Sequence, residues 1–170
     1  DFLDPRYPVP QHICEITNGL IDQNVLHFDK SANDDMTLTY HDSCNVARAS
    51  SMGGIMGGQF TIPRKIIQTV ANNFYDMDDE TIREKTYCCG GGGGLLTDDL
   101  MELRVKGALP RMEALKHLIE EKGVTHMAAI CAICKSQFSK VFQYYDLELD
   151  QIVSLHQLVS NALIMNKKEV

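Results

Sequence analysis

The sequence predicts an α/β domain: an open, mostly parallel sheet with flanking helices, its cysteines at the C-terminal ends of the strands. Three observations predict it. Segments with strand periodicity alternate with amphipathic stretches of helical length, which implies βαβ units joined by right-handed crossovers. Residues 124–130 are almost continuously apolar, as a strand covered on both faces must be. Cys44, the Cys88-Cys89 pair and Cys131 each follow directly after a candidate strand, and ligands of open sheets bind in the crevice beyond those strand ends.

Each element has its own signal. Pro5, Pro8 and Pro10 fix φ and push their predecessors towards extended geometry, so the chain opens as an arm. Ile13, Ile16 and Leu20 recur at helical spacing up to Asp22, and the polar stretch 29–35 is a loop. Residues 1–35 are therefore an N-terminal arm and helix, and the cysteine-rich domain occupies 36–170. Met36, Thr37, Leu38, Thr39 and Tyr40 alternate with the period of a half-buried strand, which ends at His41-Asp42-Ser43-Cys44. A loop rich in glycine (Gly53, Gly54, Gly57, Gly58) leads to a helix starting near Pro63, with Ile62, Ile66, Ile67, Val70 and Phe74 in one stripe. A short strand at 85–87 runs into Cys88-Cys89 and five glycines, Gly90 to Gly94. Thr97 before Asp98 and Asp99 suits a helix N-cap; Gly107 and Pro110 break that helix, and a second one runs to a stop at Lys122-Gly123. After the buried strand, Phe138, Val141, Phe142 and Tyr145 mark a helix, 147–149 a short strand, and Leu155, Leu158, Val159 and Ala162 a terminal helix.

Composition excludes several functions. The chain of 170 residues is 44% hydrophobic, and a domain of this size buries about 70% of its unfolded surface, so its core needs no disulfide staples. A net charge of −7 leaves no basic footprint for nucleic acid. The longest uncharged stretch, 49–63, is studded with glycine and shorter than the roughly 20 residues of a membrane span. Asp1 in place of Met reads as a piece of a longer polypeptide or a processed product.

Six cysteines are the informative anomaly. Disulfide frameworks belong to short exported chains without a core, so metal or redox chemistry is the better reading. Structural zinc takes four thiolates, commonly from two close pairs. Cys131 and Cys134 form one such pair. Adjacent Cys88 and Cys89 form a poor second one, because neighbouring side chains of extended chain point to opposite sides. A polynuclear centre spanning several ångströms accepts adjacent thiolates more readily. A dithiol redox pair at Cys131-Ala-Ile-Cys134 gains thiolate stabilisation from a helix N-terminus but leaves Cys44, Cys88 and Cys89 without a role. Cys14 stands outside the pattern as a packing residue.

The order Cys44, Cys88-Cys89-Gly90 and Cys131-x-x-Cys134, with a long gap on each side of the middle pair, resembles the cysteine-rich CCG domain of heterodisulfide reductase B subunits and their relatives, over about residues 36–160. Within that family, His41-Asp42-Ser43-Cys44-Asn45-Val46-Ala47-Arg48, Cys88-Cys89-Gly90 through Leu95-Leu96-Thr97 and Cys131-Ala132-Ile133-Cys134-Lys135 are most similar to the branch that supplies the K subunit of the Dsr membrane complex of sulfate respiration. The resemblance implies that Cys44, Cys88, Cys89, Cys131 and Cys134 ligate a noncubane 4Fe-4S cluster, the fifth thiolate allowing a bridging or additional bond. At that cluster a disulfide or trisulfide, possibly protein-borne, would be split in two one-electron steps. One copy of the pattern implies one cluster, and with no ferredoxin-type cysteine set, electrons must enter from missing chain or a partner. The implied partners are other subunits of an electron-transfer complex and a small sulfur-carrier protein or disulfide substrate, with the domain cytoplasmic and attached to the inner face of the membrane through those subunits. A zinc-stapled docking module and a CxxC dithiol reductase are the competing functions.

Around the cysteines, plainer roles compete with chemical ones. Gly90 and Gly91, with the glycines after them, are either a flexible turn or a place where backbone N–H groups approach cluster sulfides; their position between ligands and a helix start favours the second. No phosphate-cradle motif accompanies them. His41, Asp42, Arg48 and Lys135 are placed to orient or protonate a substrate thiolate, or else serve as caps and hydrogen-bonding residues, the ordinary role for each. His126 reads as a satisfied core histidine, and the tract 52–58 as disordered rather than a cover over the site.

Overall fold

The computed structural model describes residues 6–7, 10–94, 96–148 and 151–165. Its helices and strands follow as α1 (Ile13–Asp22), β1 (Leu38–Tyr40), α2 (Cys44–Ala49), α3 (Gly58–Val70), α4 (Met101–Lys122), β2 (His126–Ala129), α5 (Ala132–Val141), β3 (Ile152–Ser154) and α6 (Leu155–Ala162). The strands form one parallel sheet in the order β1-β2-β3, with Thr39 opposite Met127 and Ala128 opposite Val153. The fold is α/β, as the alternation predicts. Successive residues of β2 face opposite layers. Met127 packs with Met112, Leu115, Phe138 and Val141, and Ala128 packs with Leu38, Ile66, Ile67, Leu155 and Leu158. Both faces are covered, which is why residues 124–130 carry no polar alternation.

Several elements differ from the sequence reading. Residues 85–87 are not a strand. Single turns of 3-10 helix at Asp79–Thr81 and Arg83–Lys85 lead into irregular chain, because side chains take the hydrogen bonds a ladder would have taken. Arg48 donates to the carbonyls of Glu84 (2.9 Å) and Thr86, Arg111 donates to the Thr81 carbonyl, and Thr86 Oγ1 donates to the Asp42 carbonyl (2.7 Å). Gly107 and Pro110 do not break α4, whose buried face of Arg104, Ala108, Arg111, Met112 and Leu115 runs across both. Thr97 does stand at an N-cap, of the 3-10 turn Asp98–Leu100 that precedes α4, but its hydroxyl makes no capping bond. α3 begins at Gly58, ahead of Pro63, where Gly57 turns the chain at φ +76°. α2 is a short helix that no periodicity announced.

The last strand lies at β3, beyond the expected 147–149. The Leu147 N–H instead donates to the Phe142 carbonyl (3.1 Å), closing the turn after α5. Leu149 lies outside the described residues, as do Pro5 and Pro8 of the arm. The tract 52–58 is ordered into turns: Met52 is buried, the Gly53 N–H donates to Glu15 Oε1 (2.7 Å), and Gly58 lies so close to the Met52 carbonyl that a Cβ would come within 1.9 Å of it.

Two contacts place the segment that carries Cys88 and Cys89. The buried Asp42 carboxylate accepts both terminal guanidinium nitrogens of Arg64 (2.9 and 2.7 Å) and the Arg83 N–H (2.8 Å), while Arg64 Nε also reaches Asp76. With the Thr86–Asp42 bond, these tie the chain just before Cys88 to the end of β1. From the other side Gly90, at φ +85°, packs against α4, where an added Cβ would meet the Arg104 carbonyl at 2.3 Å and the Ala108 nitrogen at 2.8 Å.

Removing either contact should show in denaturant unfolding. Asp42→Ala leaves the buried Arg64 with Asp76 as its one remaining carboxylate and the Phe60 carbonyl, and is expected to cost about 3 kcal/mol. Gly90→Ala combines left-handed strain with a clash against helix backbone and is expected to cost about 3 kcal/mol. Gly93→Ala, at φ +70° with nothing near its Cβ, costs about 1 kcal/mol, from strain alone.

Candidate metal centre

The cysteine positions sit at the sheet end that the parallel topology makes available. β1 and β2 are hydrogen-bonded neighbours, extended by the His41 N–H donating to the Ala128 carbonyl (2.9 Å). Cys44 opens α2 and Cys131 is the N-cap of α5, so both half-buried thiols leave adjacent strands at helix starts. Cys134 lies one turn further along α5 and is buried, as is Cys89; Cys88 is exposed.

The tightest grouping joins three of these elements. The Sγ atoms of Cys89 and Cys134 and a ring nitrogen of His41 lie within 4.8 Å of one another, all in buried residues. No other such grouping of His, Cys, Asp or Glu occurs among the described residues. Cys88, next in the chain to Cys89, extends it towards the surface. Hydrogen bonding to Cys89 first, and burial second, push the Cys88 thiol well up. The Cys89 thiol is pushed up to about 12, first by its hydrogen bond to Cys134. Backbone N–H groups work against this: that of Gly90 donates to Cys88 Sγ (3.3 Å), Gly92 adds another to Cys88, and Gly91 donates to Cys89. The glycine run thus turns its amides onto the cysteine sulfurs, an arrangement that stabilises sulfur anions.

His41 departs from the ordinary role given to it. It is fully buried, edge-on to Phe138 with 4.9 Å between ring centroids, and neither ring nitrogen has a hydrogen-bond partner. Burial, then the nearby Arg111 charge, hold its imidazole well below the usual range. An orphaned pair of buried nitrogens beside two thiols points to a group that completes them. A thiol-rich donor set with amide donors fits a sulfur-ligated metal group, and soft thiolates select zinc or iron–sulfur centres. Spacing alone could not show His41 in this set, because its orientation follows from the strand end and from Phe138 on α5.

The other flanking residues are structural. Asp42 is the buried partner of Arg64, and Arg48 staples α2 to the chain before Cys88. His126 pairs with Thr125 (2.8 Å) as a satisfied histidine, and Cys14 is packed in the core, where burial pushes its thiol to about 12. Cys88 faces an open, mainly apolar cavity of about 210 Å³ lined by Gly90, Gly92, Leu100, Leu103, Arg104 and Gly107.

Comparison with known proteins agrees with this arrangement. The model of the CCG family, described as a cysteine-rich domain, matches residues 38–139, which include all five motif cysteines. The chain is 43% identical over 154 residues to the Hdr-like menaquinol oxidoreductase iron-sulfur subunit 2 of Archaeoglobus fulgidus, and equally to the Hdr-like menaquinol oxidoreductase iron-sulfur subunit of Archaeoglobus profundus. Each alignment covers 91% of this chain, which spans only 26% of either relative. No solved structure matches it. With more than half its length matched by the family model, the chain belongs to the CCG cysteine-rich domain family.

Proposed function

We propose that this domain binds a 4Fe-4S cluster of the noncubane type through Cys44, Cys88, Cys89, Cys131 and Cys134, and reduces a disulfide or trisulfide there as part of a larger electron-transfer complex. The observation that carries the reading is the buried grouping of Cys89, Cys134 and the unpartnered His41, with Cys88, next in the chain, exposed beside it. The relatives' names, which call them iron-sulfur subunits, support iron over zinc. When bound, such a group supplies one-electron redox chemistry and an iron to which substrate sulfur can attach.

The chain's own residues would divide the remaining work. Cys88 and its open cavity would give substrate sulfur an approach, with Leu100 and Leu103 making one flank apolar. Gly90 and Gly91 hold amide N–H groups on the ligand sulfurs. His41 would place an unpartnered ring nitrogen beside the Cys89 and Cys134 sulfurs on the buried side. Reduction of a disulfide to two thiols takes two electrons and two protons, and the electrons would come from partner subunits or further chain. A small sulfur-carrier protein is one such substrate. No helix among the described residues is long and apolar enough to cross a membrane, so attachment to the inner face of the membrane would run through those subunits.

Two measurements test the reading. Protein purified without air is expected to be brown and to carry about four irons per chain with labile sulfide, and Cys88→Ser or Cys131→Ser to lose them. One zinc and no sulfide would reject the cluster, and disulfide reduction by metal-free protein would favour the dithiol. His41→Leu separates fold from site: in iron-free protein it removes two unmet polar atoms, each worth about 1–3 kcal/mol. Its denaturation midpoint should therefore match or exceed the wild type, while the loaded variant surrenders iron faster to a chelator.

A further inference from the structure

The interior carries the opposite charge to the chain. Net charge is −7, yet among the described residues the buried charged side chains are Arg64, Arg104 and Arg111 against the single carboxylate of Asp42. Arg64 is paired with Asp42 and Asp76, and Arg104 has Asp98 at 3.6 Å. Arg111, fully buried on α4, has no carboxylate within ion-pair distance among the described residues. Its guanidinium ends on neutral acceptors: the Met77 sulfur at 2.7 Å, the Thr81 carbonyl, and Thr86 Oγ1 at 3.1 Å, with Nε on none. It lies over the Tyr87 ring, 5.7 Å from the centroid. Burial lowers it to about 10, which leaves it charged at neutral pH. Asp42 acts on it only from beyond ion-pair distance, and a buried charge with no directly paired counter-ion is unfavourable, so a further anion close by would stabilise it.

The surroundings of Arg111 say where that anion sits. Thr86 and Tyr87, which it touches, directly precede Cys88. Ala108, one turn back on α4, meets Gly90, and Met112, the next residue, shares an apolar cluster with Cys89 and Cys134. The nearest carboxylate, Asp42, is already committed to Arg64 and the Arg83 N–H. We propose that Arg111 is the charge-compensating residue of the site, its missing counter-ion being the net negative charge of the thiolate-bound iron–sulfur group proposed above. This rests on that reading. A fixed cation stabilises the reduced, more negative form of the group more than the oxidised form, so Arg111 raises its reduction potential. Arg111 is a positioning residue and does not touch substrate.

The test is the reduction potential of the loaded domain, followed by EPR during redox titration, together with thermal unfolding of the iron-free protein. Arg111→Gln keeps hydrogen-bonding capacity without charge and is expected to shift the one-electron reduction equilibrium about tenfold towards the oxidised form, about 59 mV. Arg111→Met should do the same. In the iron-free state Arg111→Gln, which can still donate to the Thr81 carbonyl, should unfold at the wild-type temperature or above, since an uncompensated charge has gone, whereas Arg111→Met leaves that carbonyl unpaired and should unfold below Arg111→Gln. Arg111→Lys, which keeps the charge but not the forked hydrogen bonds, should stay within about twofold of the wild-type equilibrium. If neither neutral variant folds, Arg111→Lys decides, and a shift as large as tenfold in it overturns the proposal. Iron retained with an unmoved potential in Arg111→Gln overturns this inference alone, whereas wild-type protein without iron overturns the proposed function and this inference together.

Discussion

The site depends on one buried carboxylate. Asp42 stands between the end of β1 and Cys44, and its oxygens gather Arg64 from α3, the Arg83 amide and, through its carbonyl, the Thr86 hydroxyl. Those partners come from segments far apart in sequence. With the packing of Ile82 and Cys89 in the core and the bonds from Arg48 and Arg111, they hold the chain from Asp78 to Cys89 in place although it forms no strand of its own. A charge so buried is tolerable only because Arg64 answers it with two parallel bonds, and such a pair specifies one arrangement more than it adds stability. Gly90 supplies the opposing constraint. Only a residue without Cβ can press so closely on the backbone of α4, and that closeness turns the amides of Gly90, Gly91 and Gly92 towards the cysteine sulfurs.

What the sequence made legible follows from which forces are local. The fold class could be read because hydrophobic periodicity records burial directly: residues 124–130 show no polar face, and the strand they contain has none exposed beyond His126. The glycine run could be read as a site feature because it sits between ligands and a helix start. The segment before Cys88 could not. Its β-like residues satisfy their backbone through Arg48, Arg111 and Asp42, partners that no local pattern reveals. The continuity of α4 was hidden for a similar reason, since Gly107 and Pro110 argue for a break locally while packing along the buried face overrides them. The role of His41 was hidden too: a lone histidine after a strand looks the same whether its nitrogens are paired or orphaned.

The two adjacent cysteines show how local geometry divides labour. Neighbouring residues can differ sharply in exposure, and here Cys89 is buried near Cys134 while Cys88 is exposed beside an apolar cavity. The difference that makes the pair unsuitable for one small ion lets a larger group be gripped from inside and approached from outside.

Electrostatics then connects surface and interior. The chain as a whole is acidic, but beside the cysteines the buried face of α4 carries Arg104 and Arg111, two turns apart. Long-range fields from the exposed carboxylates are screened over roughly 8 Å at physiological salt, whereas a buried guanidinium acts at low dielectric and is screened little. The local sign is therefore set by α4 and not by the net charge. The helix that receives Gly90 and shapes the cysteine loop also supplies the cationic environment of the site, so packing and charge at the centre are set by one element. A substitution along that face would disturb both, at Arg111 as elsewhere, since its guanidinium also holds the Thr81 carbonyl.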